Sequence, residues 1–359
     1  MGFKLGSARR GSSSRLNAQA NIALIISAAF LNTSPYSADY LIVGGGGGGG
    51  SGGASFAAGG GGAGGFISGA ATLTYANTYI ITIGGGGTTI GANTLSVGYT
   101  EVTAKGSNTT LFGNNISFIA QGGGHGATAT WTFPPSVAPA TVNNSWGGNA
   151  ATGGGALWSP AGAAGRAIGS PALNVVGTQG WPGGGAGVGG GGSNGGAGGG
   201  GGAGSEGGTS PPSATAPGAA GGLGNVWALT GPTIRYAGGG AGGGSRFAAN
   251  VVAFGGNVSP STPLLKGGGG DGGAGLGNFF GTNGTNNTGG GGGGAMGSDP
   301  PNAVNRYSGG SGGSGLVKIA MPSLVYPSVS YTGSVTVEQS ATSPEKTIIT
   351  FNSSGTLTA

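Results

Sequence analysis

The chain has 359 residues, of which 96 are glycine and only 5% are charged, whereas a typical soluble domain has about 7% glycine and about 25% charge. It has no cysteine and a single histidine, His125, which excludes disulfides, cysteine-held zinc and multi-histidine metal sites. The formal net charge of +5 is misleading, because Lys4, Arg9, Arg10 and Arg15 form a basic arm on a nearly neutral body rather than a nucleic-acid groove.

Glycine and proline together make up about a third of the chain, a share that without a strict period usually marks low complexity. Hydrophobic residues nevertheless make up 36%, and they come in short islands rather than scattered singly. Each glycine fixed by folding costs about 0.5–1 kcal/mol more than an alanine would. Glycine has no side chain to offset that cost, so backbone hydrogen bonds and close backbone packing must do so.

Residues 1–38 are basic and serine-rich, then apolar over Ile22–Leu31. Two readings fit. One is a signal peptide with a positive start and a short apolar run, against which the poor small-residue cleavage site counts. The other, which we favour, is an assembly arm whose Ile22, Ile26 and Phe30 share one face at i, i+4, i+8 and dock on a partner. The run is too short for a transmembrane helix, which needs about 20 residues.

Residues 39–321 form the glycine-rich body. The strand-like Tyr40-Leu-Ile-Val43 runs into Gly44–Gly50, a second tract is Gly59–Gly65, and Tyr79-Ile-Ile-Thr-Ile83 runs into Gly84–Gly87. Further tracts lie at 183–208, 238–244, 267–277 and 289–294, and the body closes on Leu316-Val-Lys-Ile-Ala-Met321. No Gly-X-Y period is present, and the residues that interrupt the tracts are nearly all small. Extended threefold polyglycine has no internal hydrogen bonds and directs its N–H and C=O groups at neighbours. A bundle of such helices satisfies every buried donor and acceptor. Short strands joined by glycine loops are the alternative.

The interval 100–182 is poorer in glycine tracts and holds four of the five tryptophans, Trp131, Trp146, Trp158 and Trp181, with Asn143 and Asn144 between them. These tryptophans read either as packing that holds loops to a body without side chains or as a sugar-stacking surface with asparagine hydrogen bonds. The second reading makes Trp131, Trp146, Trp158, Trp181, Asn143 and Asn144 candidate receptor-binding residues, and 282–288 is a second recognition loop. Residues 322–359 return to β-like composition: Val329–Thr332 and Val335–Glu338 read as a hairpin about Gly333, and 346–359 as strand, turn, strand.

Enzyme motifs are weak. Matches to GxGxxG arise by chance in a chain this rich in glycine, and no amphipathic helix or P-loop lysine follows them. His125 has no nucleophile–base–acid set in the sequence around it. Asp271 lies among glycines but lacks the repeated acids of a calcium-binding array. Paired carboxylates for a depolymerase are not legible, the nearest two in the C-terminal part being Glu338 and Glu345. We therefore expect no enzyme activity, no cofactor, no metal and no nucleic-acid partner.

The succession Asp39-Tyr-Leu-Ile-Val with its glycine run, then 59–67, then Tyr79–Gly87, closed by 312–319, resembles the glycine-rich module of many tailed-phage virion proteins. It is also similar to the distal receptor-recognising adhesins of T-even-like phages. The resemblance covers about 39–321. It implies a rigid sandwich of packed polyglycine helices whose connecting loops contact a bacterial receptor, and it transfers no individual binding residue. One departure stands out: a Phe-x-Ser-Ser-Gly-Thr strand usually precedes the Tyr-Leu-Ile-Val strand in such modules, whereas here Phe351–Thr356 sits near the C-terminus. The expectation is that 347–359, with Ile349 and Phe351, pairs beside Tyr40 and Ile42 of its own or a neighbouring subunit.

The expected fold class is mainly β and irregular, a glycine-rich body of packed polyglycine-II-like helices flanked by short strands, with little α-helix. Expected organisation is an attachment arm (1–38), the body (39–321) and a C-terminal β segment (322–359). Expected function is a virion tail-fibre or tail-tip adhesin. Its partners would be other virion proteins through the arm, a host surface saccharide or outer-membrane protein, and further copies of the chain. A virion connector or head-fibre decoration protein, and a secreted bacterial surface protein, are the alternatives.

Overall fold

A computed structural model of the protein describes residues 35–52, 57–89, 104–114, 116–128, 154–155, 179–184, 195–213, 215–231, 233–245, 252–257, 263–275, 278–297 and 307–359. Among these the fold is mainly β, with 3-10 turns of three or four residues and no α-helix. Twelve strands are formed: β1 Tyr36–Val43, β2 Phe66–Leu73, β3 Thr78–Thr82, β4 Thr109–Gly113, β5 Ile116–Ala120, β6 Asn225–Val226, β7 Arg235–Tyr236, β8 Leu316–Pro322, β9 Ser330–Tyr331, β10 Val335–Gln339, β11 Lys346–Phe351 and β12 Gly355–Thr358. Ten of them make two antiparallel five-stranded sheets, ordered β10-β11-β8-β1-β2 and β5-β4-β3-β12-β9.

The sheets face each other across one core. Tyr40 and Ile42 of β1, Val317, Ile319 and Met321 of β8, and Ile349 and Phe351 of β11 pack with Tyr79, Ile81, Leu111 and Leu357 of the second sheet. The first sheet is buried on its other face as well. There Leu41, Val43, Leu316, Ala320 and Ile348 meet Trp227, Tyr236 and Ala237, which are carried by the small β6–β7 ribbon. Strands covered on both faces read as near-continuous apolar runs, as Tyr40–Val43 does and as Leu316–Met321 does apart from Lys318. In the second sheet β3 alternates, with Tyr79 and Ile81 inward and Thr78, Ile80 and Thr82 exposed.

The C-terminal segment corrects two expectations. Val329–Thr332 and Val335–Glu338 do not pair as a hairpin with each other: β9 joins β12 in the second sheet and β10 joins β11 in the first. From β8 onward the chain crosses between the sheets three times, between β8 and β9, near Gly333, whose φ of +96° suits glycine, and between β11 and β12. The result is one long hairpin, β9–β10 against β11–β12, folded over the corner of the sandwich. Nor does β11 lie beside Tyr40–Val43. β8 lies between them, pairing with both, and an ion pair reaches over β8 from Lys346 to Asp39 (2.5 Å). Ile349 and Phe351 share the core with Tyr40 and Ile42 within one subunit, so this strand is spent internally and not on a neighbour.

β1, β3 and β5 each lead into a glycine tract, β2 and β8 each receive one, and β4 is entered from the array segment 104–108, all at the same end of the sandwich. The tracts run out from that rim and back, and they are joined laterally by backbone hydrogen bonds with a period of three. Gly44, Gly47 and Gly50 donate to Gly65, Gly62 and Gly59; Gly45 and Gly48 donate to Ser107 and Ala104; Gly46 and Gly49 donate to Gly313 and Gly310. The carbonyls of the same tract accept from three further segments, through Gly123 and Gly126, Gly87, and Gly292 and Ala295. Tract 44–52 therefore has six neighbouring segments, and tract 57–65 is enclosed in the same way. A Cβ on Gly46, Gly49 or Gly61 would come within 2.0–2.2 Å of a neighbour's carbonyl oxygen, so these interior positions are closed to side chains.

Outer tracts lack some neighbours, and side chains supply the missing acceptors. Asn108 Oδ1 accepts Gly122 N–H, Ser205 Oγ accepts Leu223 N–H, and Gln179 Oε1 accepts Gln121 N–H. The few polar residues of the body thus do the work of an absent glycine tract.

Candidate functional site

The two ends of the molecule differ in what they carry. At the base of the sandwich, away from the glycine array, lie Tyr36, where the chain from the N-terminal arm enters β1, and the C-terminal Ala359, whose N–H donates to Asn77 O. Tyr36 is largely enclosed there. Its phenol is pushed up to about 12, first by burial and second by the nearby Tyr79, and its hydroxyl has no partner among the described residues. Burial likewise raises Tyr40. The arm residues Ile22, Ile26 and Phe30 lie outside the described residues, and only their point of entry is defined.

The far end is reached after tract 44–52 has run its length. Gly52 pairs there with Tyr307. The Tyr307 ring stacks on Phe279 (centroids 4.7 Å, interplanar 21°) and receives Phe280 edge-on (5.5 Å, 86°). Phe280 is 53% exposed. Met296 is buried in the same region and donates its N–H to Phe279 O. These are the described aromatics at the far end, and composition did not single them out, because two phenylalanines between glycines carry no pattern of their own.

The segment running back from this cluster keeps the period of three over 278–285 and then turns at 286–289. Gly281 and Gly284 point their N–H groups inward to Ser308 O and Ser311 O, while Phe280, Asn283 and Asn286 fall on one exposed face. Asn283 Oδ1 accepts Ser311 N–H at 2.8 Å, and Asn286 Oδ1 accepts Ser314 N–H at 3.4 Å. Neither 278–297 nor 307–315 contains a charged residue. The expected recognition loop 282–288 is an extended edge of the array over 282–285 and a turn from Asn286 onward.

Of the candidate receptor residues, Trp131, Trp146, Trp158, Asn143 and Asn144 lie outside the described residues. Trp181 is described and 47% exposed, on tract 179–184, two residues beyond the Gln179 that closes the rim of β5. The fifth tryptophan, Trp227, is 6% exposed and packs on the outer face of the first sheet, so it serves the fold.

Several further polar groups are engaged structurally. Asp271 receives both hydrogen bonds of Lys266 Nζ (2.7 and 2.8 Å) together with Gly255 N–H, which leaves its carboxylate committed within the array. His125 is 2% exposed in tract 121–128, and its Nδ1 lies 3.0 Å from Gly126 O. A carbonyl only accepts, so Nδ1 carries a proton toward Gly126 O, and the buried Nε2 has no partner among the described residues. Lys318, set in β8, reaches Glu338 of β10 at 2.9 Å and lies 5.9 Å above the Tyr236 ring. Among the described residues no three acids or histidines are grouped to hold a metal ion, and no helix is long and apolar enough to cross a membrane.

No family model, no curated protein and no solved structure matches the chain.

Proposed function

We propose that the chain is a structural protein of a phage virion, a tail-fibre or tail-tip adhesin that binds a host-cell surface through the far end of its glycine array. The observation that carries this reading is polarity. The chain from the arm enters at the base of a β-sandwich, and the array projects from the opposite rim to an end that presents an exposed aromatic side chain, Phe280, braced by Tyr307. We read the tracts as polyglycine-II helices, from the three-residue hydrogen-bond period, the six lateral neighbours and the lack of room for a Cβ at interior glycines such as Gly46, Gly49 and Gly61. On that reading tract 44–52 advances about 3.1 Å per residue and holds the far end roughly 25 Å from the sandwich.

Such an array suits a fibre tip. Its cohesion comes from backbone hydrogen bonds, which do not depend on side-chain identity, so residues at the turns change without disturbing the support. The arm 1–38 would fasten the base to other virion proteins, and further copies of the chain would complete the fibre. The motif likeness to the phage glycine-rich modules supports the same assignment.

The test is to measure binding of the full chain to intact cells from a panel of strains and to label it on virions with gold-coupled antibody. Binding that competes with phage adsorption, with gold at a distal tip, supports the adhesin. Incorporation into virions without cell binding replaces it by the connector or decoration reading.

A further inference from the structure

We infer that the exposed face Phe280–Asn283–Asn286, flanked by Ser311 and Ser314, is a binding site for an uncharged saccharide chain lying along the array. This rests on the adhesin reading and names its ligand class.

The first observation is donor geometry. The Ser311 and Ser314 N–H groups are fixed by the array, since Ser311 O and Ser314 O accept from Gly284 and Thr288. Each N–H must meet an oxygen, so the amides of Asn283 and Asn286 are oriented with Oδ1 inward and Nδ2 outward. Both NH2 groups are without a partner among the described residues, and both residues are exposed. Two amide donors are therefore held in place before any ligand arrives, and little rotamer entropy remains to be lost on binding.

The second observation is periodicity. Phe280, Asn283 and Asn286 are three residues apart, and in threefold extended chain that brings them to the same face at steps of about 9 Å. A linear ligand with repeating hydroxyls matches a repeating donor, whereas a compact ligand meets only one. The third observation is the terminal ring. Phe280 is braced edge-on by Tyr307, which is itself stacked on Phe279, so an exposed aromatic surface is held rigidly at one end of the amide row. Aromatic faces take the apolar C–H face of a pyranose, and carboxamides take its hydroxyls.

Charge selects the ligand further. Neither tract of this face contains an acid or a base, and the nearby Asp271 is neutralised by Lys266. An anionic glycan would find no counter-charge there.

The test uses the full chain and cells of a strain that it binds, treated either with periodate, which cleaves vicinal diols, or with protease. Binding that is lost after periodate and kept after protease is the expected result. Three variants locate the site. Phe280→Ala lowers binding at least tenfold, whereas Phe280→Tyr, which keeps the ring, retains it. The double change Asn283→Asp with Asn286→Asp keeps both inward oxygens for Ser311 and Ser314, and therefore the fold, but removes both donors and lowers binding at least tenfold at an unchanged melting temperature. Binding that survives periodate but not protease overturns the saccharide assignment and leaves the adhesin standing, with a protein receptor. Variants that bind as the wild type does overturn the location. A chain that binds no strain removes the adhesin reading itself.

Discussion

A Cβ placed on Gly61 would lie 2.2 Å from the carbonyl oxygen of Gly47, whose own N–H donates to Gly62 O at 2.8 Å. The two tracts are thus as close as hydrogen-bonded backbones allow, and the neighbour in the way is backbone, which cannot turn aside. Gly61→Ala is expected to unfold the array or cost at least about 3 kcal/mol, as overpacking at a rigid site does. Gly85→Ala is the control: a Cβ there meets nothing within 4 Å, and its loss of unfolded-state freedom should stabilise by about 0.5 kcal/mol. Thermal denaturation of both variants decides. Equal effects would mean that the glycines are not required for close approach.

The Lys266–Asp271 pair is enclosed, with side chains only 11% and 19% exposed, and Asp271 also holds Gly255 N–H. Asp271→Ala leaves an ammonium and an amide without acceptors and should cost about 3 kcal/mol. Lys266→Met with Asp271→Ala should recover part of that loss, because it removes the stranded charge. A double-mutant cycle in urea gives both numbers.

Trp227 and Trp181 should separate cleanly. Trp227→Ala empties a buried site between the ribbon and the first sheet and is expected to cost about 3–5 kcal/mol. Trp181→Ala removes a side chain that is 47% exposed and should change stability by less than about 1 kcal/mol. Chemical denaturation curves of the two variants are the check.

Tyr36 predicts an alkaline limit. Its phenol is raised from 10.0 to about 12 in the folded protein, so between these values the unfolded chain has lost the proton and the folded chain has kept it. Stability from this group is complete below pH 10 and falls as pH rises toward 12. Tyr36→Phe should flatten that part of the pH–stability profile. A profile unchanged by the substitution would show that the phenol is not the cause.

Phe351 anchors the C-terminal hairpin in the shared core and is fully buried. Phe351→Ala should cost about 3–5 kcal/mol. It should also loosen both sheets together, since the hairpin contributes β10 and β11 to one and β9 and β12 to the other. Hydrogen exchange of β8 and β3 amides would report this, and loss of protection in one sheet alone would contradict it.

Much of this architecture was legible in the order of residues. Tyr40–Val43 and Tyr79–Ile83, each running into glycine, marked strands that feed tracts, and the small residues interrupting the tracts marked backbones in close approach. The C-terminal strands were legible as strands but not as partners. Val335–Glu338 looks like the return of a hairpin from Val329, and nothing local says that Gly333 turns the chain into the other sheet. The aromatic cluster was not legible at all, since Phe279 and Tyr307 lie far apart in the chain and meet only because 278–288 and 307–315 are neighbours in the array.

By itself the sequence determined that cohesion must come from the backbone. With 96 glycines and 5% charge, no other interaction is plentiful enough, and a chain of that composition orders only by pairing its own peptide groups. It also determined where strand gives way to tract, because β-branched and aromatic runs cannot enter a lattice whose close backbone approaches leave little space for side chains. What only the tertiary structure decided is which tract lies beside which. Glycine peptide groups are chemically identical, so the local sequence does not distinguish one tract's partners from another's. The sandwich breaks that degeneracy: side-chain packing fixes the order and register of its strands, and each strand hands its register to the tract it feeds. The same handing-on sets Asn283 against Ser311 and brings Phe280 to the edge of Tyr307.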